Sequence, residues 1–152
     1  MSTGDSVSFE CTARVRDACM CLLVNRAARK LSRLFDDVLA PAGLTNGQFS
    51  LLMSLNRPTP PRMGEVAEFL AMDRTTLTAN LKPLMRRRLA KVVPDRSDKR
   101  GRRVNLTAAG RKALAAAVPL WETAHGDLEQ IFDRSATALR ADLQRICRYQ
   151  DL

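Results

Sequence analysis

Between Val66 and Leu106 the apolar residues change period once, from helical to alternating, and that change narrows the folds open to this chain. Val66, Ala67 and Leu70 mark the inner face of a short helix, and Leu77, Leu81 and Leu84 that of a second one. Asp73 stands between them as an N-cap, its carboxylate suited to the free N–H groups of the next turn. Met72 is expected to be buried in that turn. Two short helices joined this way make a helix-turn-helix. Past Leu89 the period drops to two. Lys91, Val92 and Val93 read as one strand, with Pro94 tolerable at a sheet edge, and Val104 and Leu106 alternate with Arg103 and Asn105 as its partner. The pattern predicts a hairpin, or wing, attached to the helix-turn-helix.

The tip of that hairpin is strongly basic. The stretch DRSDKRGRRVNLT, residues 95–107, holds five basic side chains among thirteen. From Lys82 to Arg103 there are ten basic residues against two acidic ones, Asp95 and Asp98, so this segment holds nearly all of the chain's net charge of +9. One basic patch on an otherwise balanced body points to nucleic acid. Binding to a membrane surface would need a basic helix with bulky apolar residues opposite, whereas this segment includes a turn. The outer face of the second helix carries Arg74, Thr75, Thr76, Thr78, Asn80 and Lys82. Thr is a poor helix former, and short hydroxyls near a helix N-terminus reach phosphates and base edges, so this face is expected in a major groove. In the wing, Arg96, Asp98, Lys99, Arg100 and Arg102 are the candidate contacts, and Arg103 is either a phosphate contact or solvated charge. Asp95 and Asp98 would repel phosphate, so their expected role is internal, holding and aiming an Arg fork.

Helices flank this centre. Cys21, Val24, Ala28, Leu31, Phe35 and Val38 follow a 3-4-3-4-3 spacing, one apolar stripe on a long helix from about Thr12 to Ala40, which Pro41 and Gly43 end. Thr45 caps the next helix, with Gln48 at the capping-box position. Thr107 caps a long helix containing Pro119, and a last helix starts near Ser135. Pro83 and Pro119 are expected to bend their helices. These terminal helices carry more apolar surface than one small winged lobe can cover, so a two-fold dimer is expected to bury it. The reading is a mainly α chain with a β-hairpin wing. Residues 1–11 are read as a flexible N-terminus, 12–44 and 108–152 as a helical dimerisation region, and 45–107 as the winged helix-turn-helix.

Other classes of function find little support. No apolar run approaches the length of a membrane span, and the polar start, Met1 to Glu10, lacks the core of a signal peptide, which places the chain in the cytoplasm. Cys11, Cys19, Cys21 and Cys147 fit no zinc spacing and are read as free thiols. With one His, His125, no metal-ligand cluster and no Gly-rich phosphate loop, neither an enzyme nor a cofactor is expected.

With these motifs placed, the chain resembles the MarR family of winged helix-turn-helix transcription regulators over roughly Val15 to Tyr149. The segment DRSDKRGRRVNLTAAGR is similar to the family's wing, DRTTLTANLKPLMRRRL to its recognition helix, and AGLTNGQFSLL to its second helix. One departure is Arg88, where the family usually has Gly before the Leu of RRRL; it implies about 1 kcal/mol of strain or a different helix end. The resemblance implies a homodimer on an imperfectly palindromic duplex, with Arg100 in the minor groove, acting as a repressor released by a small ligand. It also raises a thiol-sensing alternative at Cys21, where the hydroperoxide-sensing branch has its reactive Cys. That branch holds its thiol with two Tyr, and the matching positions here are Asn25 and Phe35. Packing on the apolar stripe is the expected role of Cys21. A weakly specific architectural DNA binder is the other alternative.

Overall fold

The computed structural model of the protein describes residues 6–98, 100–132 and 135–149. Along them run seven helices and one two-stranded hairpin, and none of these helices is long and apolar enough to cross a bilayer. The chain divides into two compact units, residues 1–34 and 35–152.

In the first unit the expected single helix is two. Helix α1 (Phe9–Ala18) begins where Ser8 accepts the Cys11 N–H at 3.1 Å, so residues 9–11 are helical rather than flexible. Residues 1–5 of the segment read as flexible lie outside the described residues. Cys19 then breaks the helix with an extended backbone (φ −73°, ψ 102°). Its sulfur accepts the N–H of Leu22 at 3.4 Å, in the first turn of α2 (Met20–Leu39). A break made by one local hydrogen bond leaves no mark in the apolar spacing. On α2, Cys21, Val24, Leu31 and Leu34 are exposed in the single chain.

The second unit is built as its caps dictate. A single 3-10 turn, Ala40–Ala42, ends on Gly43 in the left-handed region (φ 69°). Thr45 and Gln48 form the capping box that opens α3 (Asn46–Leu55). Helices α4 (Met63–Phe69) and α5 (Arg74–Arg86) make the helix-turn-helix, with Asp73 as N-cap and Met72 half-buried in the turn. Strands β1 (Ala90–Pro94) and β2 (Arg102–Leu106) pair antiparallel, Ala90 opposite Leu106 and Pro94 opposite Arg102. Thr107 caps α6 (Ala108–Glu129) and Ser135 caps α7 (Ala136–Arg148). Pro83 and Pro119 lie inside helices that run on past them.

One core ties these elements together. Leu39, Leu52, Leu77, Leu84 and Val104 are fully buried in it, each large apolar side chain worth about 1.5–3 kcal/mol of transfer free energy. Arg88 does adopt the left-handed conformation usually left to glycine (φ 57°), and Leu89 N–H returns to the Leu84 carbonyl at 2.9 Å to close α5. Gly110 is required by crowding: a Cβ there would stand 2.1 Å from the Leu89 carbonyl oxygen.

Candidate nucleic-acid interface

Helix α5 presents its polar residues in two groups. Arg74, Thr75, Thr78 and Lys82 share one exposed hollow with Ala79. Thr76 and Asn80 turn elsewhere. Thr76 donates its N–H and its hydroxyl to the two carboxylate oxygens of Asp73, both at 2.8 Å, which holds that carboxyl below its ordinary range. Asn80 donates its amide to the Met72 sulfur at 3.6 Å, toward the turn. The Thr78 hydroxyl donates to the Arg74 carbonyl at 2.7 Å, which leaves its oxygen able to accept. Of the six residues read as one face, four lie together.

The wing is organised by Asp95, which is 2% exposed at its side chain. One carboxylate oxygen accepts from Ser97 N–H (3.0 Å), Ser97 Oγ (2.9 Å) and Arg103 Nε (3.2 Å); the other accepts from Arg62 Nε (2.7 Å). The Ser97 N–H foremost, then the Arg103, Ser97 and Arg62 donors, hold Asp95 far below the usual carboxylate range against the opposing effect of burial. Arg103 also donates to the Pro60 carbonyl at 2.7 Å, so two of its nitrogens are held inside the fold. Val104 N–H donates to the Pro61 carbonyl, so β2 is flanked by β1 on one edge and by a single bridge between Arg103 and Arg62 on the other. The internal role expected for the acids holds for Asp95. Asp98 instead accepts the Arg100 N–H at 2.9 Å, shaping the tip rather than gripping a guanidinium.

The tip closes tightly. A Cβ on Gly101 would come within 2.9 Å of the Asp95 Cβ, so a larger residue would force the turn open. Arg100 and Arg102 are exposed and line a cleft of about 590 Å³ shared with Arg62, Arg74 and Thr78. Arg96 lines a different hollow, with Thr59, Lys91 and Asn105. Lys99 lies outside the described residues. Sequence reasoning missed Arg62. Its partner Asp95 is 33 positions away, and the only local signal is Glu65, whose carboxylate accepts the Arg62 N–H at 2.9 Å as in a capping box.

Cys21 is exposed, and the Asn25 side-chain amide donates to its sulfur at 3.3 Å. In the single chain it lies on the uncovered apolar stripe of α2, with Val24 and Leu31.

Residues 42–101 match the family model described as MarR family. Among solved structures, the transcriptional regulator MosR of M. tuberculosis in complex with DNA is 37% identical, with 86% of this chain and 94% of that one covered and a TM-score of 0.78. The transcriptional repressor CouR bound to a 23-mer DNA duplex is 30% identical over 88% and 96%, with a TM-score of 0.76, and CouR is also seen bound to p-coumaroyl-CoA. The transcriptional activatory protein BadR of Rhodopseudomonas palustris is 38% identical over 72 residues, 45% of this chain, which spans only about two fifths (41%) of that relative's length. These three relatives are transcription regulators, not enzymes.

Proposed function

The chain belongs to the MarR family of transcription regulators, and from that premise we propose that it binds operator DNA as a homodimer and represses transcription until a small ligand releases it. One observation carries the DNA contact: the tip of the wing and the first turns of α5 place Arg100, Arg102, Arg74 and Thr78 around one cleft. Arg74, Thr75, Thr78 and Lys82 read the major groove, with Thr76 and Asn80 in support, and Arg100 enters the minor groove, where narrow A·T tracts concentrate negative potential. Arg96, Lys99 and Arg102 add phosphate contacts. Replacing Arg100 with Ala should weaken binding to the selected operator by about 1–3 kcal/mol in a fluorescence-anisotropy titration with the fold intact. Equal affinity in both proteins would remove the wing from the interface.

Repression and ligand relief rest on CouR, a repressor seen with DNA in one structure and with p-coumaroyl-CoA in another. A promoter reporter in a deletion strain should rise; a fall would make the protein an activator, as BadR is named.

A thiol-sensing reading draws on the exposed Cys21 sulfur and its Asn25 donor. An amide is a poorer partner for a thiolate than the paired phenols of the hydroperoxide-sensing branch. Wild type and Cys21→Ser should therefore keep their DNA alike under organic hydroperoxide. Release from wild type alone would establish the sensor.

A further inference from the structure

Arg62 stands at the N-cap of α4, outside every element that the family resemblance assigns to DNA, yet it lines the same cleft as Arg74, Arg100 and Arg102. Two acids also line that cleft, and both are already engaged by backbone: Asp98 accepts the Arg100 N–H and Glu65 accepts the Arg62 N–H. Of the two arginines on Asp95, Arg103 is the more enclosed, with its Nη1 on the Pro60 carbonyl and its side chain 24% exposed. Arg62 is different. Its Nε sits on Asp95 and its Nη2 on Ser97 Oγ, while its side chain stays 48% exposed and its Nη1 has no hydrogen-bond partner among the described residues. A guanidinium gripped along one edge keeps the other edge aimed, and so loses little rotamer entropy when it takes an anion.

A helix in a major groove and a hairpin in the adjacent minor groove must straddle one sugar-phosphate strand, because that strand is what divides the two grooves. Whatever lies between helix and hairpin therefore meets phosphates. Resting on the DNA-binding reading above, we propose that the cleft between α5 and the wing seats this strand, and that Arg62, held by Asp95, is a pre-aimed phosphate clamp within it. The role differs from that of Arg100: a phosphate contact fixes register and carries no base preference.

The test uses the full-length chain with two duplexes of equal length, one selected in vitro for tight binding and one of random sequence, titrated across a range of salt. Arg62→Gln should lose at least about tenfold in affinity on both duplexes, as expected for a charge-assisted hydrogen bond. The slope of log K against log salt should flatten by about one for each subunit. Arg62→Lys keeps the charge and should keep the wild-type slope. If Arg62→Gln weakens binding while the slope stays at its wild-type value, Arg62 is only a strut between α4 and the wing and the clamp is wrong. A wild type with a flat salt response would instead overturn the DNA-binding reading itself. Should Arg62→Gln melt below the assay temperature, neutral methylphosphonate linkages scanned through the selected duplex put the question to the wild-type protein. About tenfold loss is expected at the linkage between the helix-contacted and wing-contacted bases. No loss there overturns the clamp.

Discussion

Asp95 accepts three hydrogen bonds, from Ser97 and from the distant Arg62, and forms an ion pair with Arg103, so its charge ties the basic wing to the start of α4. Without a carboxylate at that point, Arg62 and Arg103 would repel one another across the bridge that pairs them. Its pKa is depressed from the ordinary 3.8, so the folded state binds this proton less readily than the unfolded chain. The stabilisation is therefore fully present above the unfolded value and is lost as pH falls through the folded one. Asp95→Asn should lower the urea midpoint by a constant amount from about pH 5 to 8, and the gap to wild type should narrow progressively as pH falls below about 4. A gap that instead widened on acidification would mean that Asp95 is not the anion holding the two arginines. At the same scale, Thr76 shows what residue type alone leaves open. Read as a base contact, it spends its hydroxyl on Asp73, the residue that starts its own helix.

Helix ends decide how the elements of the second unit meet. Helix α5 stops because Arg88 turns left-handed, sending Leu89 into the core and starting β1 at Ala90. The Thr107 hydroxyl donates to the Arg88 carbonyl at 2.7 Å while accepting the Gly110 N–H at 3.0 Å, so one side chain joins the end of α5 to the start of α6. A non-glycine residue in the left-handed region costs about 1–2 kcal/mol, and glycine returns part of that as unfolded-state entropy. Arg88→Gly should thus stabilise the protein by about 0.5–1 kcal/mol, read as a higher urea midpoint at unchanged slope. An unchanged or lower midpoint would show that the Arg88 side chain contributes more than its backbone costs. Ala71, with φ 51°, ends α4 in the same way, with Met72 N–H returning to the Ala67 carbonyl at 2.8 Å.

Over the whole molecule the unsettled quantity is the apolar surface. Val24, Leu31 and Leu34 of α2, and Leu139, Leu143 and Ile146 of α7, are exposed in the single chain. Two helices with such stripes call for a partner surface, and a second copy of the chain is the occupant the proposed function requires. Leu143→Glu should shift the protein from dimer to monomer in sedimentation at micromolar concentration. Operator affinity should fall with it, since half-sites about 10 base pairs apart reward only the paired protein. A wild type that sediments as a monomer would contradict the dimer directly. Legible in the sequence alone were the order of the elements from α3 onward, the caps at Thr45, Asp73 and Thr107, the change of period at Leu89 and the crowding of charge into the wing. These are local: each rests on a residue's own propensity or on neighbours within a turn or two. How far each charge is enclosed depends on tertiary packing. Arg103 and Arg62 read alike as basic side chains, and what separates them is their position around a buried carboxylate 33 residues from Arg62, a distance that no periodicity spans.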